Sequence, residues 1–166
     1  ISESSPVPVI LYNVPGRTSS NLTAETTLRI AEIENIIGIK EASGNLAQCM
    51  QIIKNRPKGF LVISGDDALS LPLIALGADG VISVVANAFP AEFSELVKCA
   101  LKGDIESARE IHYLLLDVTE NLFVEGNPSG IKAALEILGI CSNYLRLPLV
   151  PVSKNTYQAL SEGITF

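Results

Sequence analysis

Residues 36–45 read IIGIKEASGN: three isoleucines and a glycine, a lysine and a glutamate, then small and polar residues. The apolar run predicts a strand over 36–42, and Ser43-Gly44-Asn45 predicts the turn that ends it. A strand that reads as a continuous apolar run is ordinarily covered on both faces, so Lys40 stands where an ammonium is costly. Either its side chain reaches the strand end and pairs with Glu41 in solvent, or the amine is kept for chemistry. A free lysine amine titrates at about 10.4, which leaves roughly one in a few thousand neutral in neutral water. A nucleophilic lysine therefore needs desolvation or nearby cations, and a mostly apolar strand offers the first.

Toward the N-terminus, Val7–Val14 (VPVILYNV) is another β-rich run, with prolines only near its start and a Pro15-Gly16 turn after it. Thr23 then suits a helix N-cap, with Glu25 in the first turn and Leu22, Leu28, Ala31 and Ile33 as the apolar stripe. Toward the C-terminus, Asn45 opens a helix whose Leu46, Cys49, Met50 and Ile53 recur at helical spacing until Pro57. Phe60–Ser64 (FLVIS) reads as a strand. Gly65-Asp66-Asp67 leads into an apolar segment that ends at Gly77, with the aspartates as a helix N-cap pair. Val81–Ala86 (VISVVA) reads as the last strand. Strand followed by helix, repeated along the chain, predicts a parallel sheet with right-handed crossovers.

Beyond this the pattern is helical. Pro90–Leu101 is followed by Gly103, and Ile105–Leu122 is a long amphipathic stretch containing His112, best read as a surface or interhelical residue. Asn127-Pro128 starts a helix that Gly139 closes, and after LRLPLVPV Ser153 caps a final short one. The expected division is residues 1–103 as the β/α part and 104–166 as a helical domain.

Such a β/α part is either an open doubly wound sheet or half of a closed eightfold barrel. A Gly-rich phosphate fingerprint is missing after every strand. The unusual polar residues gather at the carboxyl ends of the strands: Tyr12, Asn13 and Arg17, then Lys40 and Glu41, then Ser64 to Asp67, then Asn87. That is where a barrel keeps its site. The expected fold class is thus α/β: the second half of a TIM (β/α)8 barrel, followed by a C-terminal helical domain.

Hydrophobic residues make up 48% of the 166 positions and charged ones 18%, which argues for a folded globular chain. A net charge of −6 without a Lys/Arg stripe speaks against nucleic acid and anionic membrane surfaces as partners. The three cysteines, Cys49, Cys99 and Cys141, are far apart, so the expectation is reduced, mostly core thiols, a cytoplasmic setting and no metal. The first residue is Ile1 and the only methionine is Met50, so the chain reads as a piece of something longer.

At YNVPGRT (12–18), GIKEASGN (38–45), SGDD (64–67) and GADGVISVVAN (77–87) the sequence resembles the dihydrodipicolinate synthases, within the pyruvate-dependent class I aldolases. The likeness continues through the Asn127–Lys132 segment and LRLPLVPVS at 145–153. It implies that Lys40 condenses with the keto group of pyruvate as a Schiff base, so that no separate cofactor is needed. It implies a proton-relay role for Tyr12, a carboxylate-holding role for Arg17, and places lining the pyruvate pocket for Gly65 and Ile82, the latter through its carbonyl. Asp66 and Asp67 carry no catalytic expectation.

The substrates implied are pyruvate and aspartate semialdehyde, in lysine and diaminopimelate biosynthesis, and the intact assembly implied is a homo-oligomer, a tetramer. Sialic acid lyases resemble the same strand end but lack the arginine of that turn, so Arg17 points away from sugar acids. The family's relay also uses a threonine and a second tyrosine from the barrel half that this sequence does not resemble, where the lysine feedback site lies too. The 166 residues alone are therefore expected to turn over little or nothing, and to pair edge to edge with a copy or a missing half. Two other readings stay open: another pyruvate aldolase of this scaffold, or a half-barrel that serves only for assembly.

Overall fold

The computed structural model of the chain describes residues 1–164. Strands β1 (Val9–Asn13), β2 (Ile36–Glu41), β3 (Leu61–Ser64) and β4 (Gly80–Val81) form one parallel sheet in chain order. Helices α1 (Pro15–Thr18) and α2 (Ala24–Ala31) follow β1, α3 (Leu46–Asn55) follows β2 and α4 (Ser70–Ala75) follows β3. The later helices are α5 (Pro90–Lys102), α6 (Ile105–Phe123), α7 (Ser129–Ile137) and α8 (Lys154–Gly163).

The sheet forms because one side of its strands has an apolar cover. Val9 and Leu11 of β1, Ile39 of β2 and Val62 of β3 pack with Ala31 of α2, Cys49, Ile52 and Ile53 of α3 and Leu73 of α4 in one core. Ile39, Ile52 and Val62 are fully buried. The helices start where the sequence says: the Thr23 side chain accepts from Thr26 N, and the Asn45 side chain from Gln48 N. Gly44, at φ +72°, supplies the left-handed step between β2 and α3.

Four expectations change. Pro15-Gly16 begins a one-turn helix rather than a bare turn. Met50 is exposed and Ile52 takes its place in the core, because the buried face of α3 centres on Cys49, Ile52 and Ile53. Asp66 and Asp67 do not cap α4, whose N-cap is Leu69 without a side-chain bond; instead the Ser64 and Ser70 hydroxyls donate to Asp66 O. The strand expected over 81–86 stops at Val81, since Val84 turns to helical angles and Val85–Asn87 forms a 3-10 turn. Val85 is fully buried, so the β-branched run reflects burial rather than extension.

By compactness the chain separates into two units, 1–83 with 100–103 and 84–99 with 104–166. The chain passes between them after Ser83, after Cys99 and after Gly103, and the buried 3-10 turn that follows β4 packs with α7. In the second unit α6, α7 and α8 pack on one another. Leu115, Val118 and Leu122 of α6, Ile131, Ala133 and Ala134 of α7 and Leu160 of α8 are buried there. A Cβ on Gly130 would lie 2.0 Å from Leu122 O, so α7 reaches the end of α6 only because residue 130 is glycine. Of the cysteines, Cys49 is buried, Cys99 partly so, and Cys141 exposed, which corrects the expectation of core thiols for the last. No helix among the described residues is long and apolar enough to cross a membrane.

Candidate active site

β1 and β2 are in register, with Tyr12 opposite Lys40 and Asn13 opposite Glu41. Successive strand residues face opposite ways, so these neighbouring rungs serve opposite faces of the sheet. The Asn13–Glu41 rung lies on the side with the apolar core. The Tyr12–Lys40 rung lies on the other, which is more open: Ile10 is 39% and Tyr12 52% exposed.

On the open side Lys40 Nζ sits 4.4 Å from the centroid of the Tyr12 ring. An ammonium over a phenol face is attracted by the ring quadrupole, worth about 0.5–1 kcal/mol at an exposed site. Across β2 the lysine is in register with Ile63. Its stem then crosses the bare backbone of Gly65: a Cβ there would lie 2.7 Å from Lys40 Cε, 3.0 Å from Cγ and 2.9 Å from Ala42 Cβ. Gly65 N donates to Glu41 O at 2.8 Å, carrying the β2–β3 ladder one residue beyond β3.

Ile82 extends the next ladder in the same way, its N donating to Ser64 O at 2.9 Å, and its side chain is 47% exposed. Arg17 is exposed in the last turn of α1, the short helix that follows β1. The structure therefore brings Tyr12, Lys40 and Gly65 into contact. Ile82 shares their end of the sheet, and Arg17 follows it on a short helix.

The face behind holds the residue that the sequence reading misplaced. Glu41 is only 2% exposed, so it is not the solvated partner of Lys40. Asn13 Nδ2 donates to both its oxygens at 3.1 Å, Ser43 N to Oε1 at 2.7 Å and Gln48 Nε2 to Oε2 at 3.0 Å. Asn13 is equally buried, and its Oδ1 accepts from Leu22 N at 2.9 Å while its Nδ2 donates to Asn21 Oδ1 at 3.0 Å. Strand alternation was the available signal: if Lys40 faces one side, Glu41 must face the other. Burial, and then the Glu41 charge, push the nearby Cys49 thiol up to about 11.

Among the described residues no three His, Cys, Asp or Glu side chains gather to hold a metal ion. A hollow of about 620 Å³ lies near the start of β2, lined by Ser2, Glu3, Ser5, Ile33, Glu34 and Asn35. No lysine lines it, and Tyr12 and Lys40 lie toward the opposite ends of their strands.

A four-stranded parallel sheet in chain order, with helices between its strands and polar side chains at its carboxyl ends, puts the chain in the α/β class with the layout of half a (β/α)8 barrel. Residues 1–165 match the profile of the Dihydrodipicolinate synthetase family. The 4-hydroxy-tetrahydrodipicolinate synthase of Parabacteroides distasonis is 55% identical over 163 residues, 98% of this chain and 55% of the relative. The crystal structure of the Thermotoga maritima dihydrodipicolinate synthase superposes with a TM-score of 0.95 at 41% identity, over 98% of this chain and 57% of that one. A monomeric dihydrodipicolinate synthase variant gives 0.94 at 42% identity, over 98% and 56%. The chain belongs to the dihydrodipicolinate synthetase family, and spans about 55% of the length of the curated relative described.

Proposed function

We propose that this chain carries the pyruvate-activating lysine of a 4-hydroxy-tetrahydrodipicolinate synthase. The observation that carries the reading is the Lys40 amine over the Tyr12 ring, with its stem laid across Gly65. The Lys40 amine adds to the keto carbon of pyruvate, and loss of water leaves an iminium. That cation draws electrons from the methyl carbon, which gives up a proton and becomes the nucleophilic end of an enamine. The enamine carbon attacks the aldehyde of aspartate semialdehyde, which restores the iminium; the substrate's own amine then adds to the iminium carbon, closing the ring and expelling the lysine as a free amine for the next pyruvate. The imine is the only activated group the cycle needs.

Tyr12, on the rung beside Lys40, relays protons to and from the carbinolamine and the aldehyde oxygen. The guanidinium of Arg17 suits the carboxylate of the second substrate, and its position after β1 favours that substrate over a sugar acid. The Ile82 carbonyl and Gly65 backbone line the pyruvate side. On this reading the working assembly is a cytoplasmic homo-oligomer, tetrameric when intact, and light scattering tests it against the monomeric state of the variant above.

The test is incubation with pyruvate and borohydride, which reduces an imine to a stable secondary amine, followed by peptide mapping. It is run on the 166 residues and on the same residues combined with the unmatched segment of the Parabacteroides relative. The expected product is a single adduct at Lys40, absent from Lys40→Ala with the fold retained. Adduct at other lysines only, or none in either preparation, overturns the reading. It would leave the assembly module standing.

A further inference from the structure

We propose that Glu41 is a positioning residue for the lysine chemistry, acting from the opposite face of the strand through Asn13; the inference rests on the Schiff-base reading above. Glu41 and Asn13 form the rung next to Lys40 and Tyr12. A carboxylate has only acceptors, and this one is met only by donors: Asn13 Nδ2, Ser43 N and Gln48 Nε2. The bonds reach three separate pieces of the site's frame. Asn13 belongs to the strand that carries Tyr12, Ser43 to the loop after Lys40, and Gln48 to the first turn of α3.

The same knot reaches the loop behind Arg17. Asn13 Oδ1 accepts from Leu22 N, Asn21 Nδ2 donates to Gln48 Oε1 at 2.9 Å, and Gln48 Nε2 donates to Leu22 O at 3.2 Å. One buried carboxylate thus holds the height of the Tyr12 rung against the Lys40 rung and anchors the return from α1. Burying an acidic side chain without an ion pair is costly, and the apolar residues around it would pack without it. What the charge secures is the relative position of the phenol and the amine. A glutamine in its place keeps the shape, but turns an N–H toward at least one of those donors and loosens the rung.

The experiment is a double-mutant cycle on the rate of borohydride-trapped pyruvate adduct at Lys40, in the two preparations above, with circular dichroism to check the fold. Glu41→Gln is expected to slow trapping roughly tenfold at saturating pyruvate. Tyr12→Phe is expected to slow it as well, and Tyr12→Phe/Glu41→Gln no further than Tyr12→Phe alone, because Glu41 acts through the position of the phenol. A purely structural role would instead make the two effects multiply. If Glu41→Gln does not fold, Gln48→Leu, on the partly exposed rim of the knot, carries the same cycle. Trapping at the wild-type rate, or multiplying effects, overturns the proposal and leaves the Schiff-base reading intact. Absence of any wild-type adduct overturns that reading and this proposal together.

Discussion

At position 65 the sequence leaves out a methyl group, and the space is taken by the methylene stem of Lys40. Gly65→Ala would put a carbon only 2.7 Å from Cε, and the flexible lysine is the part that can move. The expected result is a folded protein whose pyruvate adduct falls at least tenfold, with a stability cost of about 1–3 kcal/mol for the tight contact at Ala42. Gly38→Ala is the control, since its Cβ would lie 2.7 Å from the Leu61 carbonyl oxygen of the paired strand, where nothing flexible can yield. Thermal melting and adduct mass together separate the cases: Gly65→Ala loses chemistry before stability, and Gly38→Ala loses both. Equal adduct yields in Gly65→Ala and wild type would show that the lysine does not work from the position it occupies here.

At the scale of elements, the end of α6 and the start of α8 are joined by one carboxylate. Glu125 accepts from Ser153 N and Oγ and from the Thr156 hydroxyl, and these bonds hold its carboxyl below the usual range. A folded value depressed below the unfolded one adds stability that is present above the unfolded value and is lost as pH falls through the folded one. The protection of the Thr156 to Leu160 amides, relative to their intrinsic exchange rate at each pH, should therefore fall on acidification below about pH 4. Ser153→Ala should blunt that response and cost about 1 kcal/mol through the lost N-cap bond to Thr156 N. An acid response identical in wild type and variant would contradict the assignment.

The elements that the sequence displayed best were those whose signals are local. Thr23, Asn45 and Ser153 cap the helices they precede, and the apolar runs of β1 to β3 are strands. Val81–Ala86 misled because its valines satisfy burial inside a 3-10 turn, and β-branching does not distinguish a buried strand from a buried turn. The neighbourhood of Lys40, Tyr12 and Gly65 was readable because motif and strand end coincide. The Asn13–Glu41 knot was not, since its partners come from β1, the loop after α1, the loop after β2 and α3, and only the pairing register brings them together.

At the scale of the molecule, the sheet ends in two edges, β1 and the two-residue β4. β1 is the longer and presents exposed Ile10 and Tyr12 beside its unpaired backbone, which makes it the edge that another strand would extend. Two chains of charge −6 repel, and salt screens that repulsion. Sedimentation should therefore show self-association that strengthens with both protein concentration and ionic strength, and Ile10→Lys should weaken it. A single unassociating species at all salt concentrations would show that this edge is not used.

The two-faced build of β2 also bears on misfolding. A slip of one residue in its pairing would turn Lys40 inward and Glu41 outward. The inward ammonium would then meet the amides of Asn13, Ser43 and Gln48, which present N–H groups to the carboxylate they normally hold. Positive hydrogens would face a positive charge in a largely buried place. The strand thus carries its own proofreading: the misregistered chain rejects itself by electrostatics while the strands are pairing, and two adjacent residues on opposite faces, Lys40 and Glu41, select the one register.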